Sequence, residues 1–470
     1  MVEDFIYHGK LLNGEETTTV QVAYGTRASL LVHFENKDVF QEHAEYDGLI
    51  IDTGDKELSF GVCHLSPIRG EGIPGFVSRI VFTDNVYDFN NIFAYRRSAD
   101  LESYFQNLRV IKAQKGKIRD SFKDYVSALT YDLRVYKKFF DEFDVKYADE
   151  PPEIYAIVQD TVIRTEGAKY FEFFNDRLKG LAEETADFTR EEHELHGYFF
   201  RRQAWDLIQT SEFALRSNVK PRGYAGDSEM MTMIYEDAYV GKTIFAKLMH
   251  KHPIMSGAAQ AVRNRKIMVP EKVLKCIKQR SKGKKKTGEK VRIMTVACGP
   301  AQEMENIIQS PEIIDKVEFT LLDQDRSALG EAAESIMAIE SRLNKKLNKT
   351  FRQESVRTLV KKADLSKEWG QFDYIYSMGL YDYLTVRVAQ AVTEKLYNLL
   401  KPGGELLIGN YHDGTETRLY MEYWLDWTLI YRTEEEMINV AKRIPNANTK
   451  VEFEESRSQM FLTVKKPEKI

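Results

Sequence analysis

Cysteine is scarce in this chain: Cys63, Cys276 and Cys298 are the only three among 470 residues, far apart and odd in number. That pattern excludes a disulfide framework and leads us to expect a reducing, cytoplasmic setting. Long apolar runs are missing as well. None approaches the about 18 residues that a membrane-spanning helix requires, so no span is expected. A strong charge of one sign is also absent: 67 Lys and Arg against 72 Asp and Glu leave −5, too small a field to make nucleic acid the expected partner. The opening Met1-Val2-Glu3-Asp4-Phe5 is acidic where a secretory leader would be basic. His193 and His196 flank Glu194 without the spacing of a zinc motif; they are expected on a helix surface, and no metal site is expected. Neither a phosphate loop nor a nucleophilic-serine elbow occurs.

What is present is ample apolar material, 43% of the chain, enough for two or three packed domains. Over residues 1–98, short runs such as Val20–Val22, Leu30–Val32, Leu49–Ile51, Phe60–Val62 and Ile80–Phe82 alternate with turns at Asn13-Gly14, Thr53-Gly54-Asp55 and Pro74-Gly75. This spacing predicts a small all-β barrel or sandwich. The period then changes. Ile118, Phe122, Tyr125, Leu129, Leu133 and Tyr136 recur three or four apart, and residues 99–253 are expected to be helical, with a break at Pro151-Pro152. Residues 254–470 form a third region. Near its start, Lys278–Lys290 holds seven basic residues and one acid. Having no aromatic residues to stack on bases, this run is expected to be a solvated loop.

The chemistry concentrates in the third region. The buried-strand run Val291–Val296 leads into Ala297-Cys298-Gly299-Pro300-Ala301, and a helix is expected to begin with Gln302-Glu303-Met304. A strand, a tight glycine turn and a helix start bring backbone N–H groups close to a ligand. The next strand, Val317–Leu322, ends at Asp323, about 20 residues past the turn, where an acid can accept from both ribose hydroxyls of a nucleoside. Asp325 competes for that role or caps the following helix. Further strands are expected near 350–355, at Phe372–Ser377 and at Glu405–Gly409. Lys401-Pro402-Gly403-Gly404 is read as a helix stop, and 450–454 with 460–464 as an edge hairpin. The dinucleotide pattern Gly-x-Gly-x-x-Gly is not met: Gly299, Ala301 and Met304 stand in its places.

This order of elements resembles the class I S-adenosylmethionine-dependent methyltransferases. The resemblance implies an α/β, Rossmann-like domain at the C-terminus that binds S-adenosyl-L-methionine, behind a helical middle region. Ala297 stands where the family usually has an acid, and Ala301 where it has a second glycine. A narrower likeness is carried by Pro221–Asp227, Ala261–Arg265, Val296–Ala301, Tyr376–Leu384 and Asp426–Arg432. Those stretches resemble bacterial synthases of 3-hydroxy fatty acid methyl esters, quorum-sensing signals, whose N-terminal region is PilZ-like. The cyclic-dinucleotide motif of PilZ domains is not carried over: Arg27 has no partner at the right spacing, and Asp52-Thr53-Gly54 leaves the second half incomplete.

The resemblance places the cofactor against Arg222, Tyr224, Arg263, Ala297, Cys298, Gly299, Asp323, Gln324, Ser355, Val356 and Ser377. Arg222 and Arg263, with Arg265 ranked behind them, are candidates to fork a carboxylate of cofactor or substrate. Gly223–Gly226 suits a closing loop. The acceptor is expected against Tyr381, Tyr383, Asn410, Tyr431 and Arg432. His412 and Tyr411 are the candidate bases should the acceptor need one. The aromatic run Tyr420, Tyr423, Trp424 and Trp427 is either an apolar acyl pocket or plain helix packing. The activity expected is methyl transfer to a small-molecule acceptor, with the carboxyl of a fatty or hydroxy acid named first. The alternatives are a non-catalytic S-adenosylmethionine sensor and an O- or N-methyltransferase of another metabolite. A homodimer is the assembly allowed for.

Overall fold

The computed structural model describes residues 7–14, 16–26, 29–34, 44–52, 57–67, 77–83, 115–284, 289–362 and 364–468. They fall into two compact units, Met1–Lys117 and Ile118–Ile470. Arg27, the turns at 53–55 and 74–75 and the expected 98/99 boundary lie outside the described residues.

Among its described residues the first unit holds one antiparallel sheet of eight strands: β1 (Tyr7–Asn13), β2 (Glu16–Thr26), β3 (Ser29–Phe34), β4 (Glu45–Tyr46), β5 (Gly48–Asp52), β6 (Glu57–Phe60), β7 (Cys63–Pro67) and β8 (Val77–Phe82). Their order is β4-β7-β8-β3-β2-β1-β5-β6. β4 and β5 are consecutive in the chain yet pair with β7 and β1 respectively. Asp47 N donates to Leu12 O at 2.7 Å between them. The bent β4–β5 segment therefore rolls the sheet over a core that includes Leu11, Val20, Val22, Val32, Leu49 and Ile80. β4 and β7 carry only isolated apolar residues and β1 only the pair Leu11-Leu12, too short a run to read.

In the second unit, long helices precede a seven-stranded sheet. The Asp120–Lys146 and Pro152–Glu184 helices bury Phe122, Leu129 and Leu133 on one side and Tyr170, Phe174 and Leu181 on the other, as the spacing of three and four requires. The sheet strands are β9 (Val291–Val296), β10 (Val317–Asp323), β11 (Asn348–Gln353), β12 (Phe372–Ser377), β13 (Leu400–Tyr411), β14 (Asn448–Phe453) and β15 (Gln459–Lys465). Their order is β11-β10-β9-β12-β13-β15-β14. β9 to β13 run parallel, and β15 inserts antiparallel to both β13 and β14. β9, β10 and β12 are almost wholly buried, which is why they are mostly apolar, with Arg292, Glu318 and Asp373 each at the second position, rather than regularly alternating. The chain reverses its direction of travel across the sheet between β9 and β12, and such a switch point opens a crevice at the C-terminal strand ends.

Four expectations are corrected here. The basic run is not all loop: the Gly257–Lys284 helix continues through its first half, and residues 285–288 lie outside the described set. The helix before β13 stops at Asn398, and Lys401–Gly404 already belongs to the strand. His193 and His196 are not surface residues. His196 is fully buried and accepts from Arg119 N at 3.1 Å, and His193 bonds Tyr423 Oη at 3.0 Å. Finally, residues 253/254 do not separate compact units: one hydrophobic cluster joins Phe174, Phe200 and Phe245 of the helices to Tyr420, Tyr423, Trp424 and Trp427. Helix packing thus accounts for most of the aromatic run. Trp424 lies edge-on to Phe174 and Phe200 with ring centroids 5.0 and 4.9 Å away.

Candidate functional site

Three left-handed residues shape the turn after β9: Ala297, Gly299 and Ala301 have φ of 53°, 54° and 48°. Only glycine adopts this region without Cβ strain, so the two alanines hold their conformation at a cost the surroundings must offset. Those surroundings are a mesh of backbone bonds at the strand ends. Cys298 N donates to Leu322 O at 3.1 Å, and Glu354 N to Asp323 O at 3.0 Å. Ser377 Oγ donates to Val296 O at 2.9 Å. Gly299 N donates to Asp323 Oδ2 and Asp325 N to Asp323 Oδ1, each at 2.9 Å. The helix expected from Gln302 begins at Met304 and lasts one turn, to Ile307.

Asp323 is 6% exposed. Burial pushes its carboxyl up, and the N–H groups of Asp325 and Gly299 hold it down. Gln324 N–H adds a weaker pull, and with about two lone pairs on each oxygen the carboxylate retains capacity beyond these backbone donors. Asp325 takes the capping role: its Oδ1 accepts from Ser327 N at 2.8 Å, and its Oδ2 pairs with Arg222 at 3.2 Å.

A cavity of about 290 Å³ opens on this turn, at the small end of the range for ligand sites. One wall is Ala297–Glu303 and Asp323-Gln324, and a second is Glu354, Val356 and Leu359. Met231, Tyr235, Arg265, Lys266, Tyr376, Met378–Leu380 and Tyr383 also line it, together with Tyr224, Gly226 and Ser228. The 221–227 loop is fixed at both ends. Asp227 caps the Ser228–Glu236 helix through Met230 N at 3.0 Å and pairs with Arg216 at 2.7 Å. A Cβ at Gly226 would come within 2.4 Å of the Trp427 ring, so glycine is what lets the loop lie on that indole.

The structure therefore brings Tyr224, Ala297, Cys298, Gly299, Asp323, Gln324, Val356 and Tyr383 together around one cavity. The other candidates are not among its lining residues. Arg222 is occupied by acids, with Glu331 at 3.0 Å. Arg263 donates to Ile254 O at 2.9 Å and to Gln260 Oε1. Ser355 precedes the helix that carries Val356. Tyr381 is buried with its hydroxyl 3.0 Å from Thr393 Oγ1. Arg432, 1% exposed, donates to Tyr381 O at 2.8 Å and to Leu384 O and Asn410 Oδ1. Asn410 in turn donates to Ile430 O at 3.0 Å. Tyr431 lies under Arg418, 5.0 Å from ring centroid to guanidinium. Tyr411 Oη donates to Ala258 O at 2.8 Å. His412 sits beside the Phe453 ring and 3.3 Å from Asp413.

Four charged groups on the cavity, Arg265, Glu303, Lys266 and Glu354, were not singled out, or were ranked low, from sequence. Arg265 is 9% exposed; it donates to Met378 O at 2.9 Å and contacts Met231 Sδ at 3.3 Å. Glu303 accepts from Tyr376 Oη at 2.9 Å. Burial pushes the Glu303 carboxyl up, against the pull of that hydroxyl and of Arg265 and Lys266. No periodic signal marks any of them, because what distinguishes them is the cavity they face.

No family model matches the chain, and no curated protein matches it. Among solved structures it is similar to a possible exported protein from Bordetella parapertussis, with 14% identity over 59% of this chain and 87% of that one and a TM-score of 0.38. It is also similar to the magnesium protoporphyrin IX methyltransferase of Synechocystis with bound SAH: 10% identity, 53% and 99% coverage, TM-score 0.35. A third is the N-methyltransferase NodS of Bradyrhizobium japonicum, with 14% identity, 38% and 79% coverage and a TM-score of 0.27. Likenesses this distant assign no activity to the chain.

Proposed function

We propose that this chain is an S-adenosylmethionine-dependent methyltransferase of a small-molecule acceptor. One observation carries the reading. The glycine turn after β9 and the acid closing β10 are bonded to each other at the sheet's switch point, and both line the same cavity. The residues present suit that cofactor: Asp323 offers free lone pairs to a ribose, and a Cβ at Gly299 would meet nothing within 4 Å, so a ligand has room against the backbone. Glu354, Val356 and Leu359 supply a mixed polar and apolar wall for an adenine.

When bound, the cofactor supplies an electrophilic methyl group for in-line displacement. The chain's part is alignment and exclusion of water, performed by the turn on one side and the 224–228 segment on the other. Among the described residues no histidine lines the cavity. Burial pushes the hydroxyls of Tyr224, Tyr235 and Tyr376 up, away from the range of a base at neutral pH. An acceptor that needs no base, such as a carboxylate, suits such a site, with Arg265 and Lys266 set against Asp323, Glu303 and Glu354 on the same cavity. The narrower sequence likeness points the same way, to the carboxyl of a fatty or hydroxy acid, and Met231, Met378 and Leu380 give an acyl chain apolar surface.

The test is turnover. The full chain, S-adenosylmethionine and a series of plain and 3-hydroxylated fatty acids should yield S-adenosylhomocysteine and a methyl ester by mass spectrometry. Binding of the cofactor without turnover of any acid, alcohol or amine would favour a sensor. Absence of calorimetric heat with either cofactor form would overturn the reading altogether.

A further inference from the structure

We propose that Arg265 and Glu303 form a cradle for a zwitterion and hold the α-amino acid end of the cofactor, the carboxylate on Arg265 and the ammonium on Glu303. The inference rests on the function proposed above, and it assigns the contact that Ala297, which has no acid to offer, leaves open.

The argument is one of unpaired charge. Arg265 is buried, and among the described residues no carboxylate lies within 4.0 Å of its guanidinium; its partners are a carbonyl oxygen, a thioether and the Tyr235 hydroxyl. Asp382 acts on it from farther off and is itself engaged, accepting from Tyr411 N at 2.7 Å. Glu303 has the Tyr376 hydroxyl, and no described cation lies within 4.0 Å of it. A desolvated charge without a counter-ion is costly. Here two of opposite sign face one cavity, near enough to influence each other and too far apart to pair. A ligand that carries one charge of each sign fills the space between them and neutralises both. A dianion would meet repulsion from Glu303 and from Asp323, which faces the same cavity. Lys266, 3.3 Å from Gln302 Oε1 and over the Tyr235 ring, acts on Glu303 from beyond 4.0 Å and does not pair with it.

The test separates the two ends of the cofactor. Calorimetry on the full chain uses S-adenosylhomocysteine and 5′-methylthioadenosine, which keeps the nucleoside and sulfur but lacks the amino acid. Wild type should bind the first at least about tenfold more tightly, the worth of one charged hydrogen bond. Glu303→Gln keeps an acceptor for Tyr376 and should melt with wild type. It should lose about tenfold in affinity for S-adenosylhomocysteine while its affinity for 5′-methylthioadenosine holds. Arg265→Lys should behave likewise, and the Gln variant carries the test should the Lys variant fold poorly. Equal wild-type affinity for the two ligands, or an equal loss of both in Glu303→Gln, overturns the cradle while leaving the cofactor assignment standing. If wild type binds neither ligand, the cofactor assignment falls, and the cradle with it.

Discussion

Gly299 and Asp323, 24 residues apart, are joined by a 2.9 Å bond from the glycine N–H to Oδ2 of the aspartate. The bond makes the turn after one strand and the end of the next a single rigid edge. Asp323→Ala removes both the expected ribose acceptor and the acceptor for two backbone N–H groups. Affinity for S-adenosylhomocysteine should fall roughly 10- to 100-fold, corresponding to about 1.5–3 kcal/mol, with a lower Tm. Calorimetry and thermal melts check both; unchanged affinity would remove Asp323 from the site.

The left-handed turn makes a second expectation. Gly299→Ala places a methyl in the open space of the cavity and adds about 1–2 kcal/mol of backbone strain. Cofactor affinity should drop and Tm should fall. Ala297→Gly should do the reverse for stability, gaining about 0.5–1 kcal/mol because φ of 53° is then unstrained. Chemical denaturation of the two variants against wild type measures the difference. A stabilised Gly299→Ala variant would show that the turn is not left-handed.

Arg432 separates framework from substrate binding. Its guanidinium gathers Tyr381 O, Leu384 O and Asn410 Oδ1 from three segments. Arg432→Met strands these buried acceptors and should cost about 3 kcal/mol or more. The denaturation midpoint should fall, while affinity for S-adenosylhomocysteine, measured on the protein that remains folded, stays near wild type. A variant of normal stability with a raised KM for the acceptor would return Arg432 to the substrate site.

His250 gives a pH expectation. It is 1% exposed, both ring nitrogens lack partners, and burial lowers its pKa from 6.5 to about 4. Between those values the unfolded chain binds the proton and the folded chain does not. Its contribution to stability is therefore present above pH 6.5 and lost as pH falls toward 4. His250→Leu removes that loss and the unpaired polar atoms. Its Tm should exceed wild type by a few degrees, with a larger margin at pH 5 than at pH 8. An equal margin at both would show that the imidazole titrates normally in the fold.

The contrast between legible and illegible features follows from range. β9, β10 and β12 were readable because strands buried on both faces are predominantly apolar, and Gly299 because a turn of this kind punctuates the chain locally. Asp323 was readable only through its distance from that turn. Among the arginines, sequence ranked Arg263 and Arg222 above Arg265, yet only Arg265 lines the cavity. Arg263 and Arg265 are two residues apart on one helix, and local pattern does not say which face meets a cavity wall built from β9, β12 and the Ser228–Glu236 helix. The aromatics from Tyr420 to Trp427 had two readings for the same reason: an indole in a core and one in a pocket have the same periodicity.

The sequence by itself determined the strand and helix types, the sheet's glycine turn and the acid that follows it, since these depend on side-chain periodicity and on backbone freedom at single residues. Tertiary structure alone decided which charges remain unpaired. Arg222 is consumed by acids contributed from far along the chain and Arg432 is held by two carbonyls and an amide away from the cavity, whereas Arg265 and Glu303 line one cavity with no charged partner among the described residues within 4.0 Å. Whether a buried charge finds a partner is settled by packing between distant segments, and no local stretch of residues encodes it.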